Sequence, residues 1–404
     1  MIPSGAHSML PSLSPEEQRH SDAVTQLIAA ELAAAGGWLS FERFMELALY
    51  APGLGYYSAG AAKIGPGGDF TTAPELSALF GRCVARQCAQ VLSATGGEIL
   101  ELGAGTGSLA AALLTELAAL GVLPARYAIL EVSADLAARQ RARLAQLPAA
   151  LRGRMVWLQR LPERALHGVI LANEIADALP FRRVHWDDKS LKEIGVARGE
   201  SGERRDGRDG AITFCARAAP ADAALTRAWE EILAGLPVPL PPDYTSEVCL
   251  RVAPWIGSLA DALASGVLLL CDYGLPRAQY YHPQRVSGTL RCHFRQRAHE
   301  DPHINVGVQD ITAWVDFTRI AEAAAGAGLA VSGFATQAAF LLALGIEELV
   351  AAGSDELARA RLAGEAQRLL LPGEMGESFK ALALSRGFDA PLTGFALQDL
   401  RHSL

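Results

Sequence analysis

The stretch ILELGAGTGSLAAAL, residues 99–113, decides the fold. It passes from an apolar run, through glycines at every second position, into a segment rich in alanine and leucine. A short apolar run that ends at glycine is typical of a buried strand, and the segment after it is typical of a helix. Glycines at such a turn let the backbone approach a ligand, and the helix start offers free N–H groups. The stretch therefore predicts a ligand-binding turn in an α/β fold.

Similar apolar runs alternate with helical segments along the middle of the chain. We predict helices at 108–120 and 133–147, and strands at 98–102, 127–131, 155–158, 169–172 and 267–272. This alternation indicates a parallel, doubly wound sheet. The predicted fold class is therefore α/β, a Rossmann-like doubly wound sheet with an N-terminal segment and a large insertion that forms a substrate-side subdomain.

Breaks in the alternation suggest the domain organisation. We expect residues 1–67 to form an N-terminal helical segment and lid loop, and residues 68–404 to form the core. Insertions are expected at about 182–265 and 276–305, and a helix is expected over 310–328. The first insertion carries a charged stretch that resembles a hairpin, followed by the tip ESGERRDGRDG, whose mixed charge is typical of a solvated loop.

Composition narrows the class of protein. The 404 residues carry a formal net charge of −8, which argues against a nucleic-acid partner even though Arg291, Arg295 and Arg297 cluster. The six cysteines form no CxxC pair, and the first twenty residues contain no apolar signal region. We expect a cytoplasmic protein, and a homodimer is left open.

Two patterns that suggest other classes have simpler explanations. Residues 323–346 are free of charge, but glycine and polar residues divide them into a helix end, a strand and a new helix, so we expect no membrane span. HEDPH, residues 299–303, matches the zinc pattern HExxH, but Pro302 disrupts the helix that this pattern requires. We expect no metal site.

Two acidic residues indicate which ligand the glycine turn binds. Glu101, just before Gly103, suits a cationic α-amino group, and Glu131, at the end of the next strand, suits a ribose diol. S-adenosylmethionine carries both groups. A dinucleotide site would need a third glycine where Ser108 stands, and a plain tight turn is the remaining alternative. We predict cofactor contacts at Glu101, Gly103, Gly105, Gly107, Glu131, Asn173, Asp69, Thr72 and Pro74.

Polar residues follow the fourth strand in VILANEIADALP, residues 169–180. Ligands of open parallel sheets bind beyond the carboxyl ends of the strands, and carboxylates are rarely buried without partners. We therefore expect Asn173, Glu174 and Asp177 to face the cofactor cleft. The alternative is that Asn173 or Asp177 caps a following helix.

The segment NEIADALP, residues 173–180, resembles the signature of the MidA-like methyltransferases. Further landmarks of that family are resembled by GYYS at 55–58, GDFTTAPELSALFG at 68–81, EVS at 131–133, DYG at 272–274, GTLRCHFRQRAHEDP at 288–302, DITAWVDF at 310–317 and PGEMGESFKAL at 372–382. The chain departs from the family at Ile175 and Ala176, which replace a bulky pair, and at His293, where an aromatic residue is commoner.

The resemblance implies a class I methyltransferase fold that uses S-adenosylmethionine. The mitochondrial member of the family methylates arginine and assists complex I assembly, so the resemblance implies a protein substrate, an arginine of an NADH dehydrogenase subunit in a bacterium. A guanidinium is protonated at neutral pH, and carboxylates can hold it and remove its proton. We therefore predict Glu174 and Asp177 as catalytic residues. A small-molecule O- or N-methyltransferase, an assembly factor that binds the cofactor without turnover, and a nicotinamide-dependent oxidoreductase are the rival interpretations.

Overall fold

The computed structural model of the chain describes residues 10–59, 69, 71–187, 189–199 and 212–404. Part of the expected lid loop, residues 60–68 and 70, and the tip ESGERRDGRDG lie outside the described residues. Within the described part of the chain, no helix has the length and apolar character needed to cross a membrane.

A central sheet of eight strands forms the core. Its strands are β1 (Glu98–Leu102), β2 (Tyr127–Leu130), β3 (Met155–Leu158), β4 (Leu166–Asn173), β9 (Leu263–Leu275), β13 (Val315–Asp316), β14 (Ala330–Thr336) and β15 (Phe379–Arg386). The order is β14-β15-β9-β4-β1-β2-β3, with β13 beside β9. Strands β3, β2, β1, β4 and β9 are parallel neighbours in that order, and β15 is antiparallel to β9 and β14. All five predicted strands lie in the parallel part, and the α/β fold class is confirmed.

Helices cover both faces of this sheet, because neighbouring residues of a strand point to opposite faces. The helices are α1 (Pro15–Ala34), α2 (Phe41–Tyr50), α3 (Ala73–Leu76), α4 (Ala78–Thr95), α5 (Ser108–Ala119), α6 (Ala134–Leu144), α7 (Ala149–Arg152), α8 (Ala223–Ala234), α9 (Val252–Asp261), α10 (Arg277–Tyr280), α11 (Phe317–Gly326), α12 (Gln337–Ala343), α13 (Ile346–Ala351) and α14 (Glu356–Leu370). Ile99 packs on one face of the sheet with α4, α5 and α12 to α14, and Leu100 packs on the other face with α9 and α11. The predicted helix at 133–147 corresponds to α6, which begins after its N-cap Ser133 and ends at Leu144; the Ser133 hydroxyl accepts a hydrogen bond from the backbone N–H of Leu136.

Two smaller antiparallel sheets lie outside the core sheet. One contains β5 (Arg182–Trp186), β6 (Leu191–Arg198), β7 (Phe214–Pro220) and β8 (Tyr244–Val248), and the other contains β10 (Arg291–Phe294), β11 (Arg297–His299) and β12 (Asp310–Thr312). The N-terminal helices pack on both, because Phe41 and Phe44 share a buried cluster with Val196, Cys292 and Ile311.

The expected helix over 310–328 is wrong in its first part. Residues 310–312 pair with β10 as β12, and Val315 pairs with Gly274 of β9, so the helix α11 begins only at Phe317. Isoleucine, threonine and valine favour strands, and Asp316 caps the helix start by accepting from Arg319 N–H. The division of domains at residue 67 stays a prediction. Helix α9 lies within the range expected for the first insertion but packs on the core sheet.

Close backbone packing at Gly168 makes a prediction about stability. Its φ is 129°, and a Cβ there would lie 2.1 Å from the carbonyl oxygen of Glu98. Gly168→Ala should lower the free energy of unfolding by about 3 kcal/mol or more, measured by urea denaturation. The control is Gly364→Ala in α14, where an added methyl meets nothing within 4 Å and should stabilise by about 0.5–1 kcal/mol. Equal midpoints for the two variants would contradict this assignment.

Candidate active site

The glycine turn between β1 and α5 has an unusual backbone. Gly103, Gly105 and Gly107 have φ values of 56°, 54° and 87°, a region that side-chain-bearing residues rarely adopt. The N–H of Gly103 donates to the carbonyl of Leu130 at 3.0 Å, which ties the turn to the end of β2. The alternation of glycines in the sequence therefore reflects the alternation of left-handed residues in the turn.

The two acids predicted to recognise the ligand lie at the ends of adjacent strands. Glu101 is buried and accepts a hydrogen bond from the Tyr127 hydroxyl at 2.8 Å, and burial raises its pKa to about 7. Glu131 is also buried, and burial raises its pKa against the opposing effect of hydrogen bonds from Ser133 N–H and the Gln140 side chain. Both carboxylates are therefore poised to gain from a ligand that donates hydrogen bonds.

Gln140 of α6 joins these parts, and sequence reasoning missed it. Its amide nitrogen donates to the carbonyl of Gly105 at 3.0 Å and to the carboxylate of Glu131 at 2.9 Å. Its amide oxygen accepts from the Trp157 indole at 3.0 Å. The side chain is fully buried, so this network fixes the distance between the glycine turn and the acid at the end of β2. The available signal was a glutamine on the helix face that carries Ala137 and Leu144.

The turn after β4 holds the predicted catalytic carboxylates. Glu174 adopts a φ of 52°, which is strained for a residue with a side chain, and its N–H donates to the carbonyl of Cys271 at 2.8 Å. Its Oε1 accepts from the N–H of Ala73 at 3.3 Å and from the Asn173 amide at 3.2 Å. Burial, together with the nearby Asp177 carboxylate, raises the pKa of Glu174 to about 8.

Asp272 of β9 supports this turn from below. One of its oxygens accepts hydrogen bonds from three consecutive N–H groups, those of Ile175, Ala176 and Asp177, at 3.2, 2.9 and 3.2 Å. Burial and the charge of Asp177 raise the pKa of Asp272 well above its usual range. Sequence reasoning noted only the motif DYG at this position, because the contact joins residues that are far apart in the chain.

Asp177 is 7% exposed, and only one of its two carboxylate oxygens accepts a hydrogen bond within the described chain. Its Oδ2 accepts from the Tyr273 hydroxyl at 2.7 Å, whereas its Oδ1 is buried with no hydrogen-bond partner in the described chain. Burial raises its pKa to about 6. No helix follows it, since residues 174–180 form turns and bends before β5, so the alternative role as a helix cap is wrong.

The segment before α4 lies over the glycine turn. The Glu75 carboxylate accepts from the hydroxyls of Thr106 and Ser108, the latter at 2.5 Å. Ser108, which stands where a dinucleotide site would need glycine, thus binds a carboxylate at the start of α5. Asp69 instead accepts from the Tyr56 hydroxyl at 2.8 Å and from Arg295 N–H at 2.7 Å.

A single cavity of about 1000 Å³ contains most of the predicted site. Its lining includes Glu101, Gly103, Gly105, Glu131, Asn173, Glu174, Asp177, Thr72 and Pro74. Gly107 and Asp69 are predicted contacts that do not line this cavity. Gly107 is the N-cap of α5, and Asp69 accepts hydrogen bonds from the Tyr56 hydroxyl and from Arg295 N–H. The lining also includes residues that sequence reasoning had not assigned, namely Tyr50, Tyr57, Tyr273, Asp310, Trp314 and Phe379.

The segment HEDPH is not helical. His299 ends β11, and His303 lies in a turn with its ring centroid 5.7 Å from that of Phe44. In the described ranges, no group of three or more histidine, cysteine, aspartate or glutamate residues is arranged to hold a metal ion.

Comparison with known proteins identifies relatives of the chain. A family described as "Putative S-adenosyl-L-methionine-dependent methyltransferase" matches residues 83–335. A Burkholderia thailandensis chain crystallised with S-adenosyl-homocysteine is 43% identical, with a TM-score of 0.90 over 98% of this chain and 100% of that chain. The Drosophila melanogaster homologue of mitochondrial NDUFAF7, named a protein arginine methyltransferase, is 28% identical over 95% of this chain and 90% of its own. NDUFAF7 of Danio rerio is 26% identical over 89% and 87%.

The raised pKa of Glu174 makes a prediction about pH. The ordinary pKa of this group is 4.5, and in the folded protein it is about 8. At a pH between these two values the folded state binds more protons at Glu174 than the unfolded chain does, so stability falls as pH rises. Glu174→Gln removes this loss. Its free energy of unfolding relative to wild type should therefore rise by about 1 kcal/mol or more when the pH is raised from about 5 to about 8. Urea midpoints at both pH values test this, and Glu356→Gln, exposed on α14, controls for the lost charge. Parallel pH profiles for wild type and Glu174→Gln would contradict the prediction.

Proposed function

The chain belongs to this family of S-adenosyl-L-methionine-dependent methyltransferases, and we propose that it methylates an arginine side chain of a protein. The observation that carries the proposal is the presence of Glu174 and Asp177 in the same cavity as the glycine turn. A small-molecule enzyme for a neutral nucleophile would favour a closed apolar pocket, whereas this cavity contains carboxylates with raised pKa values.

The residues around the glycine turn fit S-adenosylmethionine. Glu101 is a buried carboxylate whose described hydrogen bond comes from a neutral tyrosine, and an α-ammonium group would supply the charge partner that it lacks. Glu131 can accept from a ribose diol. Val132 is 75% exposed and lines the cavity together with Leu161, which gives an apolar surface for the adenine ring. We assign these four residues to the cofactor.

The two carboxylates after β4 have separate roles in the proposed reaction. When bound, S-adenosylmethionine supplies a methyl group on a sulfonium, and its carbon moves from sulfur to nitrogen by in-line displacement. One proton must leave the guanidinium for each methyl group added. The free Oδ1 of Asp177 would hold an N–H of the substrate and orient its nitrogen.

Glu174 is the proposed proton acceptor. Its pKa of about 8 means that it is largely protonated at neutral pH before a substrate arrives, and an incoming guanidinium favours its ionised form. A carboxylate whose pKa lies this close to neutrality can take a proton from the methylated product and release it afterwards. The N–H of Ala73 and the Asn173 amide hold Oε1 in place during both steps.

The cofactor assignment is tested by binding. Glu131→Ala should weaken the affinity for S-adenosyl-homocysteine by about 1–3 kcal/mol, because donors of the ligand lose their acceptor. Gly105→Arg should abolish binding, because it places a large side chain in the cavity at a φ of 54°. Calorimetry measures both, with Asp389→Ala, an exposed acid outside the cavity lining, as the control. Wild-type affinity in Glu131→Ala and Gly105→Arg would place the cofactor elsewhere.

The substrate is proposed to be an arginine near the N-terminus of an NADH dehydrogenase subunit, which rests on the family resemblance. Peptide mapping by mass spectrometry should find dimethylarginine in that subunit from the parent strain and not from a deletion strain. Restoring the gene should restore the mark, whereas Glu174→Gln should not, although it keeps its affinity for S-adenosyl-homocysteine. Identical spectra from parent and deletion strains would contradict this substrate, and a restored mark with Glu174→Gln would remove the proposed role of the carboxylate.

A further inference from the structure

The cavity contains an acid on β12 that the proposed reaction leaves unused. Asp310 lies on β12, is 3% exposed and lines the same cavity as Asp177. Burial, followed by the charge of Asp177, raises the pKa of Asp310 to about 7. The two carboxylates therefore lie within electrostatic reach of each other, although Asp177 lies in the turn after β4 and Asp310 lies on β12.

Each of these carboxylates is held by one tyrosine hydroxyl. Tyr273 donates to Oδ2 of Asp177 at 2.7 Å, and Tyr57 donates to Oδ1 of Asp310 at 2.8 Å. The N–H of Ile311 also donates to Oδ1 of Asp310, at 3.0 Å. The described hydrogen bonds thus fall on one oxygen of each carboxylate, and Oδ1 of Asp177 is left buried without a partner.

Tyr57 is itself fixed by packing. Its ring stacks on Tyr50 with centroids 5.5 Å apart and contacts Tyr56 edge-on at 5.1 Å. The Tyr50 hydroxyl donates to the carbonyl of Ala178 at 2.8 Å, one residue beyond Asp177. The N-terminal segment therefore ties the acid on β12 to the turn after β4, so both carboxylates are held before a substrate binds.

We propose that Asp177 and Asp310 together bind the guanidinium of the substrate, and that Asp310 is a specificity-determining residue. The inference rests on the proposed arginine methylation. A guanidinium has five N–H donors in a plane and can donate to two carboxylates at once, whereas a neutral substrate would leave the two buried acids without a cationic partner. Tyr57 is a positioning residue that acts through Asp310.

The Asp310→Asn variant isolates the charge. An asparagine oxygen in place of Oδ1 can still accept from Tyr57 and from Ile311 N–H, so the local hydrogen bonds are preserved. The amide nitrogen replaces Oδ2 with a donor, which cannot accept from a guanidinium. The matched control is Asp355→Asn, which removes one exposed charge at the N-cap of α14 and keeps a capping side chain there.

The experiment compares two probes of one shape. Protein saturated with S-adenosyl-homocysteine is titrated in a calorimeter with N-propylguanidinium, a cation, and with N-propylurea, its neutral counterpart. Wild type and Asp355→Asn should prefer the guanidinium. Asp310→Asn should lose about tenfold or more in guanidinium affinity with unchanged affinity for S-adenosyl-homocysteine. Tyr57→Phe keeps the charge and should show a smaller loss, which makes it the second variant if Asp310→Asn does not fold.

The outcomes separate the two proposals. One outcome overturns only the role of Asp310: wild type prefers the guanidinium, and Asp310→Asn binds it as tightly as wild type does. If Asp310→Asn does not fold, Tyr57→Phe takes its place in this comparison. Wild type that binds the urea as tightly as the guanidinium, or binds neither, overturns the arginine substrate on which the inference rests. Loss of guanidinium binding in Asp310→Asn with intact binding of S-adenosyl-homocysteine supports both.

Discussion

The carboxylate of Asp272 accepts hydrogen bonds from three consecutive N–H groups after β4, and the shape of the site depends on this interaction. These bonds hold the turn at the end of a buried strand, and Glu174, the residue before them, has a left-handed conformation. Such strain persists only where the surroundings fix the backbone. As a result, Glu174 lies beside Ala73, in the segment that covers the glycine turn, and Asp177 lies beside Tyr273.

The cavity concentrates buried acids, and their raised pKa values have a common cause. Burial is the main contribution at Glu101, Glu174, Asp177 and Asp310, and neutral groups, above all tyrosine hydroxyls, supply many of the hydrogen bonds that oppose it. A folded protein pays in stability for such a cluster and recovers the cost when cationic ligands arrive. S-adenosylmethionine is one such ligand, and a guanidinium is the second that we propose.

Sequence patterns that extend over a few residues predicted those parts of the fold that depend on neighbouring residues alone. Strands β1, β2, β3, β4 and β9 and the glycine turn were predictable because apolar runs and φ requirements act within a few residues. Asp272, Asp310 and Gln140 were not, because their importance comes from contacts with residues far away in the chain. The helix expected over 310–328 failed for a related reason: residues 310–312 gain their structure by pairing with β10, a partner that no local pattern reveals.

We propose that this protein transfers the methyl group of S-adenosylmethionine to arginine in a protein. The most direct measurement incubates the purified protein with methyl-labelled S-adenosylmethionine and an extract of cells that lack its gene, followed by acid hydrolysis of the precipitated protein and amino-acid analysis. We expect the label in methylated arginine. Label confined to small molecules, or found on another amino acid, would contradict the methylation of arginine by this protein.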